Sequence, residues 1–257
     1  SALLLRTLFL PLLLILLPIS ASASGEWRVD GVERVVAIAD VHGAYTAMVE
    51  TLQQADVIDE ELRWSGGETN LVIVGDLLDR GPRSREAMDL LMRIDPEALA
   101  AGGQVHVLIG NHESMNLIGD MRYVSKDEYL AFADDETAEE RERWLASYAV
   151  RQGGSADNEV LRKRFDEQFP PGFFALRRAF APDGHYGKWL LSKPVIVVIN
   201  GTAFVHGGLS PAVVDFGLDG INGDLKSQLA EYVRAQHVLI DAGVLLPTDS
   251  FYDTLPI

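Results

Sequence analysis

Hydrophobic positions along the chain follow two rhythms. "ERVVAIA" (33–39), "TNLVIVGD" (69–76) and "GQVHVLIGN" (103–111) are short aliphatic, β-branched runs, each stopping at an acidic or amide side chain. Runs of this length and composition predict buried strands. Between them, "AYTAMVETLQQADVI" (44–58) and "SREAMDLLMRI" (84–94) repeat apolar residues three and four apart, the spacing of a helix with one buried face. Strand then helix, repeated, predicts an α/β domain built from parallel strands. Further on, "KPVIVVINGTAFVHGG" (193–208) predicts two adjacent strands joined at Asn200-Gly201, a pair that supplies the positive φ values of a type I′ turn. "DLKSQLAEYVRAQHVLIDAG" (224–243) predicts a helix.

The texture changes between about 125 and 190, where charged, helix-prone sequence is interrupted by Pro170, Pro171 and Gly172. Trp144, Leu145, Tyr148 and Ala149 predict an apolar stripe there, and the Glu/Arg alternation of 139–143 reads as a solvated helix face. The segment is expected to form a helical insertion over the rim of a crevice. At the other end of the chain, the apolar run 8–19 precedes the small residues "SASA" (20–23), the pattern of a secretory signal peptide cut after Ala23. A periplasmic or secreted location is therefore expected, with membrane anchoring if the segment is retained, and a single domain over 24–257.

Composition narrows the function. With 257 residues, 47% of them hydrophobic, the chain can bury a large core. A formal net charge of -16 argues against nucleic acid as a partner, because reading a phosphate backbone takes concentrated Lys and Arg. A small phosphorylated substrate stays open, since a bound metal or a few local cations can reverse the field in one cleft. The sequence has no Cys, which removes disulfides and thiolate chemistry.

Beyond the carboxyl ends of strands in an open α/β sheet lies the ligand crevice. Four polar segments end strands here: "DVHG" with Asp40 and His42, "GDLLDRGP" with Asp76, Asp79 and Arg80, "GNHE" with Asn111 and His112, and "HGGLSP" with His206. Each alone has an ordinary structural reading, as a helix cap, a turn or a surface ion pair. Together they supply carboxylate and amide oxygens and imidazole nitrogens, which suit divalent ions of intermediate hardness. One carboxylate can bridge two ions about 3.5–4 Å apart, a spacing that generates a hydroxide for displacement at phosphorus. The planar fork of Arg80 suits phosphoryl oxygens, and His112 can protonate a leaving group if Asp79 supports its imidazolium.

In order, these four segments resemble the hallmarks of the calcineurin-like metallophosphoesterases, and within them the PPP-type protein phosphatases. "MNLIGDMRYV" (115–124) and "DGHYGKWLLSKP" (183–194) are similar to the bacterial, Shewanella-like branch. The resemblance covers about residues 33–212 and implies an αββα two-sheet sandwich with a dimetal site at the strand ends. It implies one ion on Asp40, His42 and Asp76, with Asp76 bridging to a second held by Asn111 and His206. Arg80 becomes a phosphate clamp and His112, backed by Asp79, the general acid. Glu113 is read as positioning neighbouring backbone or accepting hydrogen bonds rather than as a ligand.

The implied activity is hydrolysis of phosphomonoesters, with phosphotyrosine or phosphoserine/phosphothreonine proteins as substrates and two manganese, iron or zinc ions as cofactors. A symmetrical dinucleoside tetraphosphate hydrolase shares the first three motifs, and a non-catalytic binding protein on the same fold is the other alternative. The family supplies one more second-ion histidine downstream of its His-Gly-Gly segment. His237, in a helical stretch without flanking glycines, does not fit it, so a chain truncated before that motif is expected. Arg177 and Arg178 read as a solvated pair, with a phosphate contact as the alternative.

Overall fold

A computed structural model describes residues 27–211 and 215–254, so the signal sequence expected at 1–23 lies outside the described residues. Two three-stranded sheets organise the chain. The first is parallel throughout, in the order β2 (Val35–Ile38), β3 (Asn70–Ile73), β4 (Gln104–Val107). In the second, β5 (Ile196–Ile199) lies between β1 (Arg28–Val29), which it pairs in parallel, and β6 (Thr202–Val205), which it pairs antiparallel. The β5–β6 turn is the predicted one, with positive φ at both Asn200 (50°) and Gly201 (79°).

The pleat explains why these strands read as continuous apolar runs. Successive side chains alternate between faces, so a strand covered on both sides needs no polar positions. Leu71 and Ile73 of β3, with Val105 and Val107 of β4, turn into the main core toward α1 (Tyr45–Gln54) and α2 (Ser84–Ala100). Val72 turns the other way and, with Leu108, meets Val197 and Ile199 of β5 in a second, smaller core. That cluster joins the sheets face to face and gives the fold of the calcineurin-like two-sheet sandwich.

The strand and helix readings at 33–111 hold, with two differences. Helix α2 runs through Pro96 to Ala100 instead of stopping at Ile94, because fully buried Ala98 anchors its last turn. After β4 the chain turns straight into a helix, α3 (Asn111–Leu117), which the strand-like run into Asn111 did not reveal. Five further helices follow: α4 (Lys126–Leu130), α5 (Ala138–Arg151), α6 (Glu159–Gln168), α7 (Phe173–Ala179) and α8 (His185–Ser192). Aromatic residues on these helices and in the turns between them, Phe132, Phe165, Phe169, Phe173 and Phe174 among them, belong to the same core cluster as the first sheet.

The predicted stripe on α5 is buried at Leu145, Tyr148 and Ala149. Its charged face is less solvated than the sequence reading has it. Arg141 bonds Glu136, Asp166 and the carbonyl of Phe169, while Glu142 pairs with Arg162. The face therefore ties α5 to its neighbours. The helix predicted at 224–243 begins earlier, as α9 (Gly217–Asp241), and its buried Asn222 accepts the N–H groups of Val195 and Ile196 beside β5. A short α10 (Phe251–Thr254) closes the described chain. Among the described residues no helix is long and apolar enough to cross a membrane.

Candidate metal centre and active site

The eight candidate residues of the four polar segments gather beyond the carboxyl ends of strands from both sheets. Asp40 and His42 follow β2, Asp76, Asp79 and Arg80 follow β3, Asn111 and His112 open α3 after β4, and His206 follows β6. The backbone there is unusual. Asp40, His42, Asp76, Asp79 and Arg80 all have positive φ, between 48° and 69°, where a side chain costs roughly 1–3 kcal/mol. Such a conformation persists only where surrounding contacts over-determine it.

Those contacts can be named. Glu113, fully buried, accepts the N–H groups of Asp76 (2.9 Å), Leu77 (2.8 Å), Leu78 (3.3 Å) and Gly110 (2.8 Å). The Arg80 N–H donates to the Tyr123 carbonyl at 2.9 Å, and the Gly81 N–H donates to the His42 carbonyl at 2.9 Å. Glu113 thus has the backbone-accepting role left to it by the sequence. Close approach demands glycine beside it: a Cβ on Gly110 would collide with Asp76 Oδ1, and one on Gly75 would lie 2.9 Å from Gly110 Cα.

Hydrogen bonds fix which nitrogen each histidine offers. Carbonyl oxygens only accept, so the Nδ1–H of His42 donates to Leu78 (2.8 Å) and that of His206 to Val74 (2.8 Å). Both Nε2 lone pairs are then left facing Asp76, 3.7 Å from its Oδ2 for His42 and 3.2 Å for His206. His42 Nε2 is buried with no hydrogen-bond partner, an unmet acceptor that a cation would satisfy. Backbone contacts that orient ligating imidazoles in this way are a usual feature of metal sites. The donor set of oxygen and nitrogen atoms fits divalent ions of intermediate hardness.

Donor atoms that lie within 4.8 Å of one another form two groups sharing Asp76: His42, Asp76 and His112, and Asp40, Asp76 and His206. Asp76 is common to both, as a bridging carboxylate would be. Asp40, exposed, groups with His206 at 3.8 Å, whereas the resemblance implies that it shares an ion with His42, and Asn111 Oδ1 is 3.1 Å from His206 Nε2.

His112 is held differently from the other two imidazoles. Its Nδ1 is 2.6 Å from Asp79 Oδ2, and the amide of Asn116, one helical turn on, donates to Asp79 Oδ1 at 2.9 Å and to the His112 carbonyl at 3.0 Å. Burial pushes the Asp79 carboxyl up, opposed by the hydrogen bonds from Asn116 and His112. Burial likewise raises Glu113, against its backbone donors. Arg80, exposed at the rim, brings Nη2 to 3.4 Å from His112 Nε2. Asn116 escaped the sequence reading. The signal was its i, i+4 spacing from His112, which has meaning only once α3 is known to be a helix.

His237 lies outside this centre, on α9, where burial and the charge of Arg177 lower it to about 4. Arg177 is not half of a solvated pair. It is buried, donating to the carbonyls of Pro247 and Asn116, and burial lowers it to about 10. Arg178 is exposed and pairs with Glu140. A cavity of about 460 Å³ opens beside Asn111 and His206, with Leu190, Val205 and Leu229 in its wall.

A paired-sheet α/β sandwich carrying imidazoles and carboxylates at its strand ends offers the donor set of a metal centre. Residues 33–241 match the model of the calcineurin-like phosphoesterase family, and the chain belongs to that family. It is 34% identical over 220 residues to Shewanella-like protein phosphatase 2 of Arabidopsis thaliana, covering 82% of this chain and 56% of the relative. A symmetrical bis(5'-nucleosyl)-tetraphosphatase of Cronobacter sakazakii is 31% identical over 118 residues, 45% of this chain and 37% of that protein. Among solved structures, a cold-active protein-tyrosine phosphatase of a psychrophilic Shewanella species superposes with a TM-score of 0.59 at 27% identity, over 86% of this chain and 56% of that one. The chain therefore spans about half the length of these phosphatases.

Proposed function

We propose that the protein is a metal-dependent phosphomonoesterase acting on phosphorylated protein side chains. The observation that carries this reading is the His112–Asp79 pair, 2.6 Å long and buried, set beside two imidazoles that converge on Asp76. Carboxylate backing also occurs behind metal-ligating histidines; what supports a proton-donor role is the rim arginine, whose Nη2 lies 3.4 Å from His112 Nε2 and so sets that nitrogen beside the proposed phosphate position. Asp40, His42, Asp76, Asn111 and His206 would hold two ions, with Asp76 between them. Bound there, manganese, iron or zinc would supply Lewis acidity to the phosphoryl oxygens and lower the pKa of a water.

The chain's own residues do the rest. Arg80, at the rim, donates to the non-bridging phosphoryl oxygens through its planar fork. His112, protonated at Nε2, gives that proton to the departing alkoxide or phenoxide. Asp79 keeps the ring oriented and stabilises its positive charge, and Asn116 holds the other Asp79 oxygen. Similarity to a protein phosphatase and to a protein-tyrosine phosphatase supports phosphoprotein as the substrate. The tetraphosphatase likeness is confined to 118 residues and favours the dinucleotide reading less. An exported location, supported by the apolar run before Ala23, belongs to the same proposal and is tested by cell fractionation.

The His112→Asn variant tests the assignment. Removing a general acid is expected to lower turnover of an alkyl phosphomonoester by roughly 10²–10⁴-fold while metal content stays near that of the wild type. Parallel loss of metal would make His112 a ligand instead. Faster hydrolysis of a dinucleoside tetraphosphate than of any phosphopeptide would replace the phosphatase reading.

A further inference from the structure

The ring of Tyr123 is an exposed aromatic surface in an otherwise polar centre, and none of the roles assigned above uses it. It is 48% exposed, and its centroid lies 5.2 Å from that of His112, tilted by 58°. His42 packs against the same imidazole at 4.7 Å, edge to face, and His112 itself is only 2% exposed. The proton donor therefore lies between a second imidazole and a phenol, and of these rings the phenol is the one most open to solvent. Among the described residues the Tyr123 hydroxyl has no hydrogen-bond partner, so the ring is not held there by its polar end.

Backbone and a neighbouring cation hold it instead, the Arg122 guanidinium lying 5.7 Å from the ring centroid. The Tyr123 carbonyl accepts the Arg80 N–H at 2.9 Å. The preceding Arg122 is clamped at 2.7 Å through both Nε and Nη2 to Asp120, itself buried. The backbone and Asp120 contacts survive any change of the Tyr123 side chain, and the cation contact survives in Tyr123→Phe. They also fix an aromatic face at the rim beside both Arg80 and His112, the phosphate and leaving-group ends of the proposed reaction.

His112 Nδ1 is committed to Asp79, so a leaving-group oxygen must meet Nε2, and whatever it carries must lie along the rim next to that ring. A flat aryl group fits beside an exposed phenol at the centroid spacings of about 4.5–7 Å that aromatic pairs adopt. The methylene of an alkyl ester offers no such face. The geometry points to Tyr123 as a specificity-determining residue that receives the aryl ring of phosphotyrosine-type substrates and favours them over alkyl phosphomonoesters. This rests on the phosphatase reading above and on His112 as its proton donor.

Aromatic pairs gain enough beyond simple burial for an effect of about three- to tenfold. The test compares wild type, Tyr123→Phe, Tyr123→Leu and Tyr123→Ala, loaded with manganese, on phosphotyrosine and phosphoserine peptides of one sequence. Calorimetric titration of the same proteins with phenylphosphonate and methylphosphonate reads the preference without turnover. The aryl-to-alkyl ratio, in kcat/KM and in affinity, is expected to fall about three- to tenfold in Tyr123→Ala, to fall in part in Tyr123→Leu and to persist in Tyr123→Phe. An unchanged ratio in Tyr123→Ala overturns the proposal. So does an equal fall for both classes, which would make the ring a support for His112. A wild type that binds both phosphonates and hydrolyses neither peptide overturns the phosphatase reading, while the affinity ratio still decides the role of Tyr123.

Discussion

Glu113 shows how one side chain can set the geometry of a centre it never enters. Its carboxylate collects four backbone N–H groups from two loops, and through them holds Asp76 at a φ of 51°. Glu113→Gln would replace one acceptor oxygen with an amide that faces N–H donors. That leaves buried groups unsatisfied, at a cost of roughly 2–4 kcal/mol. Thermal unfolding of metal-free protein should report a fall in Tm of roughly 5–15 °C, and an unchanged Tm would show that the carboxylate does not hold the loops. At this scale the sequence is highly legible: Asp40, His42, Asp76, Asp79, Asn111, His112 and His206 announce themselves as polar residues ending apolar runs. Asn116 and Tyr123 do not, because their partners depend on α3 and on the turn that follows it. Nor does the burial of Arg177, since a charged pair on a helix reads as surface until its neighbours are known.

Among the elements, β3 and β4 are joined by a buried polar contact as well as by their ladder. His106 on β4 places Nε2 2.8 Å from Asn70 Oδ1 on β3, and burial lowers its pKa from 6.5 to about 4. The folded value lies below the unfolded one, so between the two the unfolded chain binds the extra proton. The contribution to stability is then complete above pH 6.5 and is lost as pH falls toward 4, by up to about 3 kcal/mol. His237 acts in the same direction. Urea unfolding at pH 7 and pH 4.5 should show a smaller difference for His106→Gln than for wild type. An identical difference would mean that His106 is not buried neutral. Strands β3 and β4 are legible because burial on both faces makes most of their positions apolar, and β2 because its β-branched run stops at Asp40. The two-residue β1 is too short to leave a pattern, and α3 is hidden because the polar triplet Asn111-His112-Glu113 reads equally well as a strand end.

The molecule as a whole brings together strand ends from two sheets. Asp40, Asp76 and Asn111 follow the first, while His206 reaches the same place from the second because Val72 and Leu108 lock the sheets together against Val197 and Ile199. The pairing of the sheets is the part of the fold least visible in the sequence, since nothing local in β5 or β6 states which sheet they face. At that junction a chain of net charge -16 brings together Asp40, Asp76 and Asp79 with His42, His112 and His206, a field that favours cations and must be offset before a phosphate can enter. The central claim is that Asp76 stands between two ions. Anomalous diffraction from manganese-soaked crystals tests it most directly. Two peaks about 3.5–4 Å apart, both in contact with Asp76 and neither on His112, are the result expected. A lone peak away from Asp76, or one coordinated by His112 Nε2, would contradict it.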